Sequence, residues 1–190
     1  MRKYSLLLSL TFWALAASSQ TVFFTKLGEV SFFSAAPLEN IDGKTDKAVI
    51  LFNGKENEII VNIQVKSFYF QNSLMREHFN EKYMETERYP IAEFKGEFTE
   101  PIDLTKPGTY EVSVKGKLSL HGKTESRIVT GKITISDTDI FLESAFDIHL
   151  KDHNVDIPSM LTKNIAEVVQ VKIKGYLSPS DLIEGKSSLR

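Results

Sequence analysis

The sequence lacks cysteine altogether, and each missing residue type or motif removes a class of function. Without cysteine among its 190 residues, the chain has no disulfide, no thiol nucleophile and no thiolate ligand for zinc or an iron–sulfur cluster. It also has little excess charge, because 23 Lys and Arg stand against 25 Asp and Glu. Nucleophile elbows, phosphate-binding glycine loops and the His-Glu-x-x-His zinc motif are absent as well. We therefore expect no nucleic-acid partner and no cofactor.

The N-terminus has the layout of a secretion signal. Two basic residues precede an apolar stretch over 6–17, and small residues follow. This predicts a signal peptide over residues 1–20, cleaved between Ala16 and Gln20, and a periplasmic or secreted protein. An uncleaved membrane anchor is the alternative, although the stretch is short for a bilayer. No other segment has the run of about 18 apolar residues that a transmembrane helix needs, so the mature chain is expected to have none.

Alternation of apolar and polar residues dominates the rest of the chain. Between Tyr110 and Leu120 the even positions are apolar or glycine and the odd positions are polar, which is the two-residue period of a β-strand. The same period recurs over 92–98 and 169–174, and eight strands are predicted in all. The five less regular runs, rich in β-forming residues, are Glu58–Lys66, Phe141–Leu150, Ile128–Ile135, Ala48–Phe52 and Gly28–Phe33.

Turn-forming residues lie between the predicted strands. Asn53-Gly54 is a hairpin signal, and further turns are predicted at 106–108, at His121-Gly122 and at 137–139. Such short connections make neighbouring strands antiparallel, so the sequence predicts an all-β barrel or sandwich. A Greek-key strand order remains open.

One segment departs from the two-residue period. Between Gln71 and Arg88, Asn72 or Ser73 is placed to cap a helix, and Pro90 is placed to end it. We predict a helix of about three or four turns lying across one end of the sheet. One face of this helix is formed by Leu74, Met75, His78, Phe79, Lys82 and Tyr83.

Alternation defines two faces without saying which one is enclosed. An outer-membrane barrel would show the same pattern with its apolar face toward lipid. In a barrel of about eight strands that arrangement would enclose many charged residues, each costing several kcal/mol unless paired, so we expect the apolar face inside. The residues predicted to line the interior and to contact a ligand are Val30, Phe32, Ile50, Phe52, Ile63, Val65, Phe94, Phe98, Val112, Val114, Leu118, Ile133, Phe146, Ile148, Val171 and Ile173.

The pattern leaves two alternatives for the interior. A central cavity with this lining would suit a long hydrocarbon, whereas a solid core would use the same residues. Gly96 and Gly116 on the inward face either leave space or mark bends. Phe68, Tyr69 and Phe70 are predicted to pack beneath the helix, with the cavity entrance as the alternative.

Two motifs resemble the YceI-like family. From Arg76 to Gly96, a polar helix with an acidic-His-apolar element runs into a Tyr-Pro-x-x-x-Phe strand. From Val114 to Thr124, the chain is similar to that family's Gly-x-Leu-x-x-His-Gly-x-Thr hairpin. The order and spacing of the two motifs agree with the family, and the likeness spans roughly Thr25 to Leu177.

The resemblance implies a fold and a ligand class. The fold is an eight-stranded antiparallel, lipocalin-like barrel over residues 21–178, with a helix inserted before Pro90. The polar composition of residues 179–190 separately predicts a flexible tail. The ligand is a polyisoprenoid or another long-chain amphiphilic lipid, held in an apolar channel in the bacterial periplasm. The chain departs from the family over 146–158, where the family commonly has Asn-Arg-x-x-Phe-Gly. The resemblance therefore does not predict which head group, if any, the protein recognises at this rim of the barrel.

The histidines are the remaining candidates for chemistry. His78 lies among glutamates on the predicted helix, and His149 and His153 lie among aspartates. Neither spacing matches a recognised metal site, and solvated surface polarity explains both, so no metal is predicted. His121 is a turn residue without a nucleophile to activate, so no catalytic residue is predicted.

We therefore expect an exported, non-enzymatic protein that sequesters one long-chain lipid. A structural or interaction module with a filled barrel is one alternative. A lipid-acting hydrolase with His78, His149 or His153 as the base is another. Pairing of two protomers into a homodimer also remains open.

Overall fold

The computed structural model describes residues 22–35, 40–155 and 166–180. The predicted signal peptide over 1–20 and residues 181–190 of the predicted tail lie outside these ranges. No helix in the described ranges is long and apolar enough to cross a membrane. The strands are β1 (Val22–Ser34), β2 (Ile41–Asn53), β3 (Glu58–Gln64), β4 (Ile91–Phe98), β5 (Gly108–Leu120), β6 (Lys123–Ile135), β7 (Ile140–His149) and β8 (Val168–Pro179).

The strands form one closed barrel in sequence order. Each strand pairs antiparallel with the next, and β8 pairs with β1 to close the sheet. At this closure Val30 lies opposite Ile173 and Phe32 lies opposite Val171. The predicted all-β antiparallel barrel with one inserted helix is therefore confirmed, and the order is up-and-down rather than Greek key.

The apolar face of the sheet points inward. Along β4, Ala92, Phe94 and Phe98 are buried, while Lys95 is exposed and its ammonium lies 2.8 Å from the Glu58 carboxylate on β3. Alternation along a strand sends successive side chains to opposite faces, so the charged residues of each strand stay in contact with water.

Four strands are at least five residues longer than the sequence predicts. β1 extends beyond the predicted Gly28–Phe33, and β2, β6 and β8 extend in the same way. In β1 the register shifts on both sides of Gly28, and Lys26 and Leu27 are both exposed. Such β-bulges break the two-residue period and hide the strand from a search for alternation. β3 instead stops at Gln64, because a 3-10 turn follows.

The predicted helix is present and has about three turns, the lower end of the predicted length. It consists of α1 (Ser73–His78) and a π-helical turn (Phe79–Tyr83), which we together call the mouth helix. Asn72 caps it, since its Oδ1 accepts from the backbone N–H groups of Leu74 and Met75. The helix ends at Tyr83, ahead of Pro90, and the chain enters a left-handed conformation two residues later, at Glu85 (φ 43°).

Gly96 and Gly116 do not leave space in the interior. They lie opposite each other on β4 and β5. A Cβ added to Gly116 would lie 2.5 Å from the Lys95 carbonyl oxygen and 2.8 Å from the Phe94 ring. These glycines let two backbones and a buried ring approach closely, so of the two alternatives for them the structure does not support a contribution to the cavity.

Candidate binding cavity

The described residues of the barrel surround an apolar cavity at one end. This hollow end is where β1, β3, β5 and β7 finish and where the mouth helix lies. The cavity has a volume of about 550 Å³, within the range of about 300–1,000 Å³ usual for small-molecule sites. Its walls come from seven of the eight strands and from the connections at that end. The interior at this end is therefore a cavity and not a solid core.

The opposite end of the barrel is filled. Phe52 and Phe98 meet edge to face with ring centroids 5.2 Å apart, and Ile102 and Leu104 from the β4–β5 connection pack against the same core. Ile133 is 1% exposed. The structure therefore combines the two predicted alternatives. Bulky side chains form a solid core at the filled end, whereas the hollow end contains the cavity.

The structure divides the predicted lining residues between these two ends. The cavity is lined by Val30, Phe32, Ile63, Val65, Phe94, Leu118, Phe146, Ile148, Val171 and Ile173. The remaining predicted residues lie in or against the core and do not border the cavity, and they are Ile50, Phe52, Phe98, Val112, Val114 and Ile133. The alternation of apolar and polar residues indicates which side chains point inward, but not where along the barrel axis a cavity lies.

Several lining residues were not singled out from the sequence. Val61, Ala92, Leu120 and Val169 face the cavity, and the alternation along their strands was the signal that could have found them. Met84 also borders the cavity. It follows the helix directly, at a position no periodic pattern covers.

The mouth helix covers the hollow end with the face predicted from its sequence. All six residues assigned to that face border the cavity. Phe79 stacks on Phe32 at 5.4 Å between ring centroids and lies 4.9 Å from the Phe70 ring and 5.8 Å from the Phe68 ring. Phe68 and Phe70 therefore pack beneath the helix as predicted, whereas Tyr69 is 55% exposed.

Few polar groups interrupt the lining. Ser34 is buried, and its hydroxyl accepts from the backbone N–H of Ala166 at 3.0 Å. The Tyr83 phenol is protonated at neutral pH, as tyrosine ordinarily is, and burial raises its pKa further. The other polar members are Asn72, His78, Lys82 and Glu93.

A buried hydrogen-bonded clamp holds the chain after the mouth helix. His121 Nε2 lies 2.9 Å from the Glu85 carboxylate, and His121 Nδ1 lies 3.2 Å from the His153 carbonyl oxygen. Both ring nitrogens thus face oxygen atoms that can accept a hydrogen bond. Tyr89 packs edge to face on the ring at 4.6 Å. The clamp ties three connections at the hollow end together, a role for His121 beyond the predicted turn.

The C-terminal histidines do not form a metal site in the described ranges. His149 is exposed, while His153 is 2% exposed and its Nδ1 contacts the Lys123 carbonyl oxygen at 3.3 Å. Burial lowers the pKa of His153, and Arg127 adds to this. Across residues 22–35, 40–155 and 166–180, no three His, Asp or Glu side chains converge closely enough to hold a metal. Asp156 lies outside these ranges.

An eight-stranded closed barrel with an apolar cavity at one end defines a lipocalin-like protein. The sequence matches the YceI-like domain over residues 13–177, so the chain belongs to the YceI-like family. Comparison with curated proteins finds no significant sequence match.

Three solved structures share this fold at low sequence identity. A polyisoprenoid binding domain from Saccharophagus degradans implicated in plant cell wall breakdown is 16% identical, with a TM-score of 0.71 over 84% of this chain and 99% of that one. Burkholderia cenocepacia BcnA is 20% identical, with a TM-score of 0.66 over 80% and 96%. The YceI protein of Campylobacter jejuni is 15% identical, with a TM-score of 0.55 over 93% and 97%.

Proposed function

We propose that this protein is a non-enzymatic carrier that sequesters one long-chain amphiphilic lipid, of the polyisoprenoid type, in the hollow end of its barrel. The observation that carries the proposal is the cavity of about 550 Å³ with its almost wholly apolar lining. A hydrocarbon chain gains about 0.8 kcal/mol for each methylene it buries in such a site. The name of the Saccharophagus relative, a polyisoprenoid binding domain, supports the same ligand class.

The positions of the histidines favour a carrier over a hydrolase. His149 and His153 do not border the cavity, so neither is placed to act on a bound tail. His78 does border it, but its hydrogen-bond partner is the Lys82 ammonium at 3.2 Å, which is a donor rather than a nucleophile or an orienting carboxylate. A general base needs a substrate proton within reach and a partner that orients the ring.

We also propose that the protein acts outside the cytoplasm. Basic residues, an apolar stretch and small residues over 1–20 support this, because they form the three parts of a secretion signal. Export would place the carrier in the periplasm or outside the cell. Mass spectrometry of the mature protein tests this assignment. The mass lost from the expressed precursor should correspond to cleavage between Ala16 and Gln20.

The carrier proposal is tested by filling the cavity. Val171→Phe adds bulk to a residue that borders the empty space, so it should leave the fold intact and weaken binding of the apolar fluorophore N-phenyl-1-naphthylamine at least about tenfold, the equivalent of 1.4 kcal/mol. Ile128→Phe makes the same kind of enlargement on the outer face, where Ile128 is 65% exposed, and should bind like the wild type. Unchanged fluorophore binding by a folded Val171→Phe protein would contradict the proposal.

A further inference from the structure

Within residues 22–35, 40–155 and 166–180, the polar residues of the cavity lining are concentrated on the mouth helix and its cap. Asn72, His78, Lys82 and Tyr83 all border the cavity from this short stretch. The strands contribute only Ser34, whose hydroxyl already accepts from a backbone N–H, and Glu93. An amphiphile in the cavity would therefore have its tail among apolar strand residues and its polar end at the mouth helix.

The groups that the mouth helix presents are mainly donors. Asn72 Oδ1 is occupied by two backbone N–H groups of α1, which leaves the Nδ2 amide as its available hydrogen-bonding group. The Lys82 ammonium donates to His78 Nε2 at 3.2 Å. The Tyr83 hydroxyl borders the cavity and, like any tyrosine at neutral pH, is a protonated donor. An acceptor-rich ligand group would complement this set.

The charges of the helix are segregated between its two sides. Glu77 and Glu81 border the outer groove between the helix and the β2 side of the barrel, together with Arg76, and do not border the cavity. Within the described part of the chain, no carboxylate forms an ion pair with Lys82. The cavity side of the helix therefore carries an ammonium group that no carboxylate neutralises.

Among the described residues that line the cavity, Glu93 is the one carboxylate, and it belongs to the outward face of β4. Its neighbours Ala92 and Phe94 are buried, whereas Glu93 is half-buried. Its charge acts on Lys95, whose pKa it helps to raise. Glu93 is thus directed toward the outer surface of the sheet rather than toward Lys82.

We propose that the mouth helix binds an anionic head group, a carboxylate or a phosphate monoester, of the amphiphile whose tail fills the cavity. Lys82 supplies the charge, and Asn72 and Tyr83 supply further donors. Charge-assisted hydrogen bonds of this kind are the stronger ones in proteins. The inference rests on the proposed carrier function and adds the class of ligand that the site selects.

The experiment compares ligands that differ only in the head group. Affinities of farnesyl phosphate and farnesol, and of palmitate and 1-hexadecanol, are measured below their aggregation limits by displacement of N-phenyl-1-naphthylamine. We expect the anion of each pair to bind about tenfold more tightly, as a hydrogen bond to a charged group provides. The pair with the larger ratio distinguishes a phosphate from a carboxylate ligand. Added salt should reduce both ratios.

Variants assign the effect to the helix. Lys82→Ala should bring both ratios close to one, and Lys82→Arg should preserve them. Arg76→Ala removes a cation from the same helix on the side away from the cavity, and it should also preserve them. Equal binding of anion and alcohol by the wild type, or an undiminished ratio in Lys82→Ala, would overturn the head-group inference while leaving the carrier function standing. Failure of all four ligands to displace the fluorophore would overturn both.

Discussion

The two ends of the barrel should respond differently to the loss of a buried side chain. Ile133 is 1% exposed in the filled end, and Leu118 is 6% exposed but borders the cavity. Either residue changed to alanine loses about three methylene equivalents, or about 2.4 kcal/mol of transfer free energy. At Ile133 the lost atoms also leave a sealed void, which adds about 1–2 kcal/mol at roughly 24 cal/mol per Å³. At Leu118 the lost volume merges with space that is already empty.

We therefore expect Ile133→Ala to lower the free energy of unfolding by about 4 kcal/mol and Leu118→Ala to lower it by about 2 kcal/mol in ligand-free protein. Urea unfolding followed by circular dichroism measures both, and an unchanged m value in each variant keeps the comparison valid. Thermal midpoints should differ by about 4–8 °C in the same direction. Equal losses for the two variants would show that the interior is packed uniformly, and this would refute the division into a hollow and a filled end.

Two further predictions concern the clamp and its neighbour. His121→Ala should cost about 2–3 kcal/mol of unfolding free energy, because it leaves the buried His153 carbonyl without its partner, and Glu85→Gln should cost less than about 1 kcal/mol because the amide still pairs with the ring. Glu87→Ala, which removes an exposed ion pair with Lys66, is the control and should be silent in the same urea titration. Because burial lowers the pKa of His153, the unfolded chain binds its proton more readily, so stability should fall as pH drops below about 6.5. His153→Gln should reduce the fall of the thermal midpoint with pH below about 6.5. An equally steep fall in this variant would contradict the assignment of the pH dependence to His153.

The sequence predicts the sheet well because each strand has one wet and one dry face. Alternation in β5 identifies the inward positions Val114 and Leu118, which are both buried. The three- to four-residue period around Phe79 likewise predicts the helix face that covers the cavity. In both cases each residue is polar or apolar according to whether it faces water or the core, so the pattern can be recognised within one element.

Features that depend on contacts between distant segments of the chain could not be predicted from the sequence. The boundary between the hollow and filled ends depends on which bulky side chains meet across the barrel, as Phe52 and Phe98 do. The clamp joins Glu85 to His121 over 36 positions, and no periodic pattern connects them. β1 is interrupted by bulges at Gly28, so its full length emerges only when β2 and β8 pair on either side of it.

The most direct test of a lipid-carrying cavity is native mass spectrometry of the protein purified in aqueous buffer from the cells that make it, followed by extraction of whatever is bound. The account predicts one tightly held molecule with a long hydrocarbon tail for each protomer, and predicts that the Val171→Phe variant purified in parallel has lost it. Wild-type protein that carries no such molecule, and that takes up none when incubated with farnesol or farnesyl phosphate, would contradict the account.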